Sequence, residues 1–124
     1  TMSRAERDAA NNARVMRELA GIPLERRTAR FVCCMCLADP SGNILATSRG
    51  TFEGRIGLPA NETDPHAPIA AVPRGINGFG YDPLFLVAPD LQLTGAALSP
   101  EEKNARSHRA AAAREIARHL RSLK

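Results

Sequence analysis

Apolar residues at Ala13, Met16, Leu19 and Ala20 recur at helical spacing within an otherwise polar stretch, which predicts one short amphipathic helix with a thin apolar stripe. Its ends are marked locally. Ser3-Arg4-Ala5-Glu6 has the form of a capping box, and Gly21 followed by Pro23 supplies a stop. A β-like run over about Ala29 to Ala38 follows, closed by the dense turn signal Asp39-Pro40-Ser41-Gly42-Asn43. Ile44 to Ser48 then reads as a strand returning beside the first, and Gly50 to Ile56 as a third short strand. From Gly57 to Pro73 periodicity dissolves into a Pro-rich loop, expected to be exposed. Leu84 to Val87 is a further strand, and a capping box with proline at the first helical position, Ser99-Pro100-Glu101-Glu102, opens the C-terminal helices.

This succession predicts a mixed α/β fold in a single domain, since 124 residues suit one domain better than two. An apolar fraction of 44% beside 24% charged residues is ordinary for a globular protein. No apolar run has the length of a membrane helix and the basic N-terminal stretch lacks a signal-peptide core, so a cytoplasmic location and no membrane partner are expected. The net charge of +4 permits a phosphate-bearing partner without demanding one. Much of the excess lies in Arg106, Arg109, Arg114, Arg118, Arg121 and Lys124, where a solvated helix face is the simpler account, and no DNA-reading or RNA-binding signature accompanies it.

Three cysteines fall in the run Phe31-Val32-Cys33-Cys34-Met35-Cys36-Leu37. On a strand Cys34 and Cys36 share one face and Cys33 the other, which argues against a shared metal and for reduced, buried thiols.

Asn77-Gly78-Phe79-Gly80-Tyr81-Asp82-Pro83 concentrates scarce residues: the chain has no Trp, one Tyr and four Phe. Two glycines permit positive φ, and Phe79 and Tyr81, two apart on an extended backbone, would face one side and could hold a flat heterocycle. Asp82 would then offer an acceptor at its edge, and Pro83 would start an extended run. The alternative is a glycine turn before a buried strand, with both rings in the core.

Lys103, His108 and Arg109 form a second group. On one unbroken helix His108 and Arg109 would point about 140° and 240° away from Lys103. Ser107 can end one helix and cap another, placing His108 and Arg109 in a first turn that favours an anionic or carbonyl-bearing ligand. A break near Ser107 is therefore predicted. Three exposed surface groups are the alternative.

Taken together, Gly78-Phe79-Gly80-Tyr81-Asp82-Pro83, the preceding Pro73-Arg74-Gly75 and the following Glu102-Lys103-Asn104 and Ser107-His108-Arg109 resemble the inosine/xanthosine triphosphate pyrophosphatases, the Ham1-like family. Asn11-Asn12, Arg27-Thr28-Ala29-Arg30-Phe31 and Gly50-Thr51-Phe52-Glu53-Gly54-Arg55-Ile56 are similar in order and spacing, so the resemblance covers nearly the whole chain. It implies an elongated mixed sheet flanked by helices, a homodimer, and Mg²⁺-dependent hydrolysis of unusual purine nucleoside triphosphates (ITP, dITP, XTP) to the monophosphate and pyrophosphate. By the same resemblance, Phe79, Gly80, Tyr81 and Asp82 form the base-binding segment, and Lys103, His108 and Arg109 surround the nucleotide.

The family's phosphate-cradling Ser/Thr-x-Asn-x-x-Lys loop, its acidic metal ligands and its Asp base have no counterpart here. The chain resembles a C-terminal part, with the Mg²⁺ ligands expected in an N-terminal third that it lacks and that would also be its natural partner segment. No catalytic or metal residue is assigned: Glu53, Asp64, Asp82, Glu101 and Glu102 make no closely spaced metal pair. A lone C-terminal part would expose sheet surface and edges. A catalytically incomplete nucleotide-binding module and a basic nucleic-acid-binding fragment are the competing readings.

Overall fold

The computed structural model describes residues 1–64, 66 and 71–123. Among the described residues the α-helices and strands are, in order, helix α1 (Arg4–Glu18), strands β1 (Thr28–Ala38), β2 (Ile44–Ile56) and β3 (Phe85–Val87), then helices α2 (Pro100–Arg106) and α3 (His108–Ser122). The strands are ordered β1-β2-β3, and β2 pairs antiparallel with β3 through Gly54–Val87, Arg55–Leu86 and Ile56–Phe85. The fold is mixed α/β, as the sequence pattern implies. Among the described residues no helix is long and apolar enough to cross a membrane. Two compact units divide the chain: Thr1–Ala29 with Glu53–Ser99, and Arg30–Phe52 with the residues from Pro100 onward.

In the first unit α1 starts where Ser3 predicts, its side-chain oxygen accepting from the Glu6 N–H at 3.2 Å. Leu24, Val72, Leu84 and Leu86 form the core, with Val15, Met16, Ile56, Leu58 and Leu91 packed around them. Arg27 lies among these groups, only 2% exposed. Its Nε donates to the Ile56 carbonyl at 2.9 Å, Nη1 to Leu19 at 2.6 Å and Ile22 at 3.3 Å, and Nη2 to Gly57 at 2.8 Å. Burial pushes this guanidinium below its ordinary pKa, while the charge of Glu62 opposes the shift.

In the second unit β1 and β2 form the expected hairpin. The Asp39 carboxylate accepts from the N–H groups of Ser41 and Asn43, both at 2.9 Å, and from Asn43 Nδ2 at 3.1 Å. Hydrogen bonds from Asn43 hold the Asp39 carboxyl below its ordinary pKa, and Gly42 takes φ 90° to turn the chain. Along β1 half-buried and exposed residues alternate, with none fully buried. Val32, Ile44 and Leu45 are exposed.

Three expectations need correction. Gly50 to Ile56 is no separate strand: β2 runs unbroken from Ile44 to Ile56, because Gly50 and Gly54 mark close backbone approaches and not turns. A Cβ on Gly50 would overlap the His108 carbonyl oxygen, and one on Gly54 would overlap that of Leu86. The cysteines are free, yet only Cys33 is half-buried, while Cys34 and Cys36 are exposed on the opposite face of β1. Pro83 does not start an extended run, since Asp82–Leu84 form a single 3-10 turn and the strand begins at Phe85. Of the Pro-rich loop over 57–73, Pro65 and residues 67–70 lie outside the described residues. Its described part carries a 3-10 turn at Ala60–Glu62 and is tied down by Val72 N–H to Leu58 C=O at 2.9 Å.

Candidate functional site

In the first unit, residues 77–82 form a compact turn and not the extended clamp read from the sequence. Gly78 (φ 75°) and Gly80 (φ 64°) both adopt the left-handed conformation that side chains disfavour, and Tyr81 is helical. Asp82 does not present its carboxylate to an external ring edge: it is 5% exposed and its Oδ2 accepts from the Phe79 N–H at 3.0 Å. Gly95 lets this carboxylate sink inward, because a Cβ there would stand 2.9 Å from Asp82 Oδ1. Phe79 and Tyr81, by contrast, are 47% and 40% exposed, so the turn displays both rings and does not bury them in the core.

Both flanks of the turn are anchored. Asn77 donates through its N–H to the Ala96 carbonyl and through Nδ2 to Leu98, each at 2.9 Å, and Thr94 Oγ1 donates to the Arg74 carbonyl at 2.6 Å. On the other side α1 reaches in: the Gly80 N–H donates to Asp8 Oδ2 at 2.9 Å, Asn12 Nδ2 donates to the Gly80 carbonyl at 3.1 Å, and the Arg4 guanidinium lies 4.2 Å from the Phe79 ring centre.

In the second unit the predicted break is present. The α2 helix ends at Arg106 and Ser107 caps α3, its Oγ accepting from the Ala110 N–H at 3.1 Å. His108 therefore opens α3 at its positive dipole end, half-buried, with Arg109 exposed beside it and half-buried Lys103 on α2. The imidazole stacks on the Phe31 ring, centroids 5.1 Å apart and planes 15° apart, and Phe31 in turn packs against Phe52 at 6.4 Å. Ser48 Oγ donates to the Ala112 carbonyl at 2.8 Å and fastens α3 to β2. A Ser107→Ala variant should lose about 1 kcal/mol by removing the cap. Circular dichroism during thermal melting would register this as a lower midpoint, and an unchanged midpoint would contradict it.

Phe79, Gly80, Tyr81 and Asp82 are thus brought together in one unit, and Lys103, His108 and Arg109 in the other. Sequence reading missed the supports of both groups: Arg4, Asp8 and Asn12 behind the turn, and Phe31, Phe52 and Gly50 behind His108. Arg4, Asp8 and Asn12 do follow one another at four-residue spacing on one helix face, a signal available in the sequence.

The sequence profile of the Ham1 family matches residues 1–119. A dITP/XTP pyrophosphatase of Exiguobacterium sibiricum is 50% identical over 109 residues, covering 88% of this chain and 48% of that protein. One from Nitratidesulfovibrio vulgaris is 47% identical over 110 residues, covering 89% and 46%. Among solved structures, the Staphylococcus aureus Ham1 protein matches with a TM-score of 0.75 at 32% identity, over 97% of this chain and 54% of that one. A HAM1 protein from Coxiella burnetii matches with a TM-score of 0.71 at 35% identity, over 93% and 52%. The chain spans about half the length of the curated relatives it matches. With profile, sequence and fold in agreement, the chain belongs to the Ham1 family.

Proposed function

We propose that this chain supplies the base-recognising half of an Mg²⁺-dependent pyrophosphatase acting on ITP, dITP and XTP, releasing the monophosphate and pyrophosphate. The observation that carries this reading is the 50% identity, over 88% of the chain, to a protein named dITP/XTP pyrophosphatase. Phe79 and Tyr81 pack on the purine, Gly80 supplies the conformation that displays them, and Asp82 acts through the turn it closes. His108 and Arg109 donate to the 6-oxo group, and Lys103 sits with them around the nucleotide. Adenine carries an amino group at that position and would leave the donors unpaired, which rejects ATP.

Among the described residues no group of three or more His, Cys, Asp or Glu is placed to hold a metal ion. We place the Mg²⁺ ligands in the part of the relatives' length that this chain does not span. Homodimerisation and a cytoplasmic location complete the proposal.

The test is pyrophosphate release and equilibrium binding with ITP and with ATP. Selective ITP turnover supports the enzyme. ITP binding without turnover supports the second reading, a catalytically incomplete nucleotide-binding module. Equal, steeply salt-dependent affinity for ITP and ATP defeats both and favours a basic nucleic-acid binder. Replacing His108 or Arg109 by Ala should weaken ITP binding about tenfold or more and leave ATP binding nearly unchanged. Equal losses for the two nucleotides would remove the 6-oxo assignment.

A further inference from the structure

Gly80 is held by both of its peptide groups. Its N–H, in the peptide shared with Phe79, donates to Asp8 Oδ2 at 2.9 Å, and its carbonyl, in the peptide shared with Tyr81, accepts from Asn12 Nδ2 at 3.1 Å. Glycine at φ 64° with open space around a notional Cβ leaves these two peptide planes to their hydrogen bonds, which for the Phe79–Gly80 peptide also include the Phe79 carbonyl accepting from the Asp82 N–H at 3.3 Å. Whatever fixes them also fixes where the neighbouring rings point. Arg4, one helical turn before Asp8, adds a third contact by lying over the Phe79 ring at 4.2 Å.

The orientation of Asn12 follows from the geometry. Turning its amide over would set Oδ1 against the Gly80 carbonyl, acceptor against acceptor. In the observed orientation Oδ1 is buried with no hydrogen-bond partner among the described residues. A buried unsatisfied acceptor costs stability.

Resting on the base-segment reading above, we propose that Asp8 and Asn12 of α1 are positioning residues that lock the Gly80 peptides and so hold Phe79 and Tyr81 in the arrangement that packs on the purine. Neither residue touches the nucleotide. Asp8→Asn keeps an oxygen to accept from the Gly80 N–H and preserves the lock. Asp8→Ala removes it, and Asn12→Asp, nearly identical in shape, turns a donor into a second acceptor facing the Gly80 carbonyl.

The chain has a built-in reporter, because Tyr81 is its single tyrosine and it has no tryptophan. Acrylamide quenching of tyrosine fluorescence therefore reads the segment directly, with or without nucleotide. In Asp8→Ala and Asn12→Asp, quenching of Tyr81 should change while the affinities for ITP and for ATP both fall, that for ITP about tenfold, because rings that pack on a purine face serve both bases. Asp8→Asn should restore both the quenching and the ITP affinity. A lower melting temperature with unchanged quenching and an unchanged ITP affinity would overturn the proposal. Should the wild-type protein not bind ITP, the base-segment reading fails, and Tyr81 quenching alone decides whether the lock exists. Asn12→Asp keeps the side-chain volume, so the test does not depend on Asp8→Ala folding.

Discussion

Replacing Arg27 by Met should lower unfolding free energy by about 3–5 kcal/mol, the largest loss expected from any single charged residue of this chain. The guanidinium is 2% exposed and donates to the carbonyls of Leu19, Ile22, Ile56 and Gly57 at 2.6–3.3 Å. It ties the end of α1 and the loop after it to the end of β2, and without it four carbonyls lose a charged donor. Methionine fills most of the volume, so the loss would report unpaired carbonyls and not a cavity. Lysine offers a single point charge where the site uses a planar fork, and Arg27→Lys should recover less than about half of the loss. Neighbouring Arg26 is exposed, and Arg26→Met should stay within about 0.5 kcal/mol of wild type. Urea unfolding measures all three, with an unchanged m-value showing that stability alone has moved. An Arg27→Met protein within about 1 kcal/mol of wild type would refute this account of the hydrogen bonds.

Arg27 also shows where sequence reading stops. Features written in adjacent residues were legible: the Ser3 cap, the Asp39–Asn43 turn and the division of the C-terminal helices at Ser107 all depend on contacts within four residues. Features that depend on distant partners were not. A charged side chain reads as surface until carbonyls 29 and 30 residues away close around it. Asp8 and Asn12 find their partner Gly80 only 72 and 68 residues further on. Composition marks the Phe79–Asp82 stretch as special but leaves its shape open between an extended clamp and a glycine turn. Gly78 and Gly80 both take positive φ, and the Asp82 carboxylate closes the turn on the Phe79 N–H. The exposure of Phe79 and Tyr81 decides between display and burial, and no spacing of residues foretells it.

Gly50→Ala should damage the fold and the base selectivity together, and this pairing gives the substitution its value. Gly50 is buried within β2, where an added Cβ would overlap the His108 carbonyl oxygen and lie 2.7 Å from the Ala112 N–H nitrogen and 3.0 Å from Ala111 Cβ. Two of these neighbours are helix backbone, which cannot rotate away as a side chain can. The first turn of α3 must shift, working against the Ser48 hydroxyl bond to the Ala112 carbonyl and the stacking of His108 on Phe31. Overpacking of this kind costs about 1–3 kcal/mol. On the proposed reading the same shift displaces the His108 donor, and a misplacement of about 1 Å can cost a hundredfold in function. The ITP-to-ATP ratio should therefore fall far more than the stability loss alone accounts for. Gly42→Ala supplies the comparison: φ 90° makes any side chain strained there, but nothing lies within 4 Å of the notional Cβ and the position is in the hairpin turn. It should lose about 1 kcal/mol and keep its selectivity. If both variants lose stability and neither loses selectivity, β2 supports α3 only as scaffold, and the exact placement of His108 has no part in choosing the base.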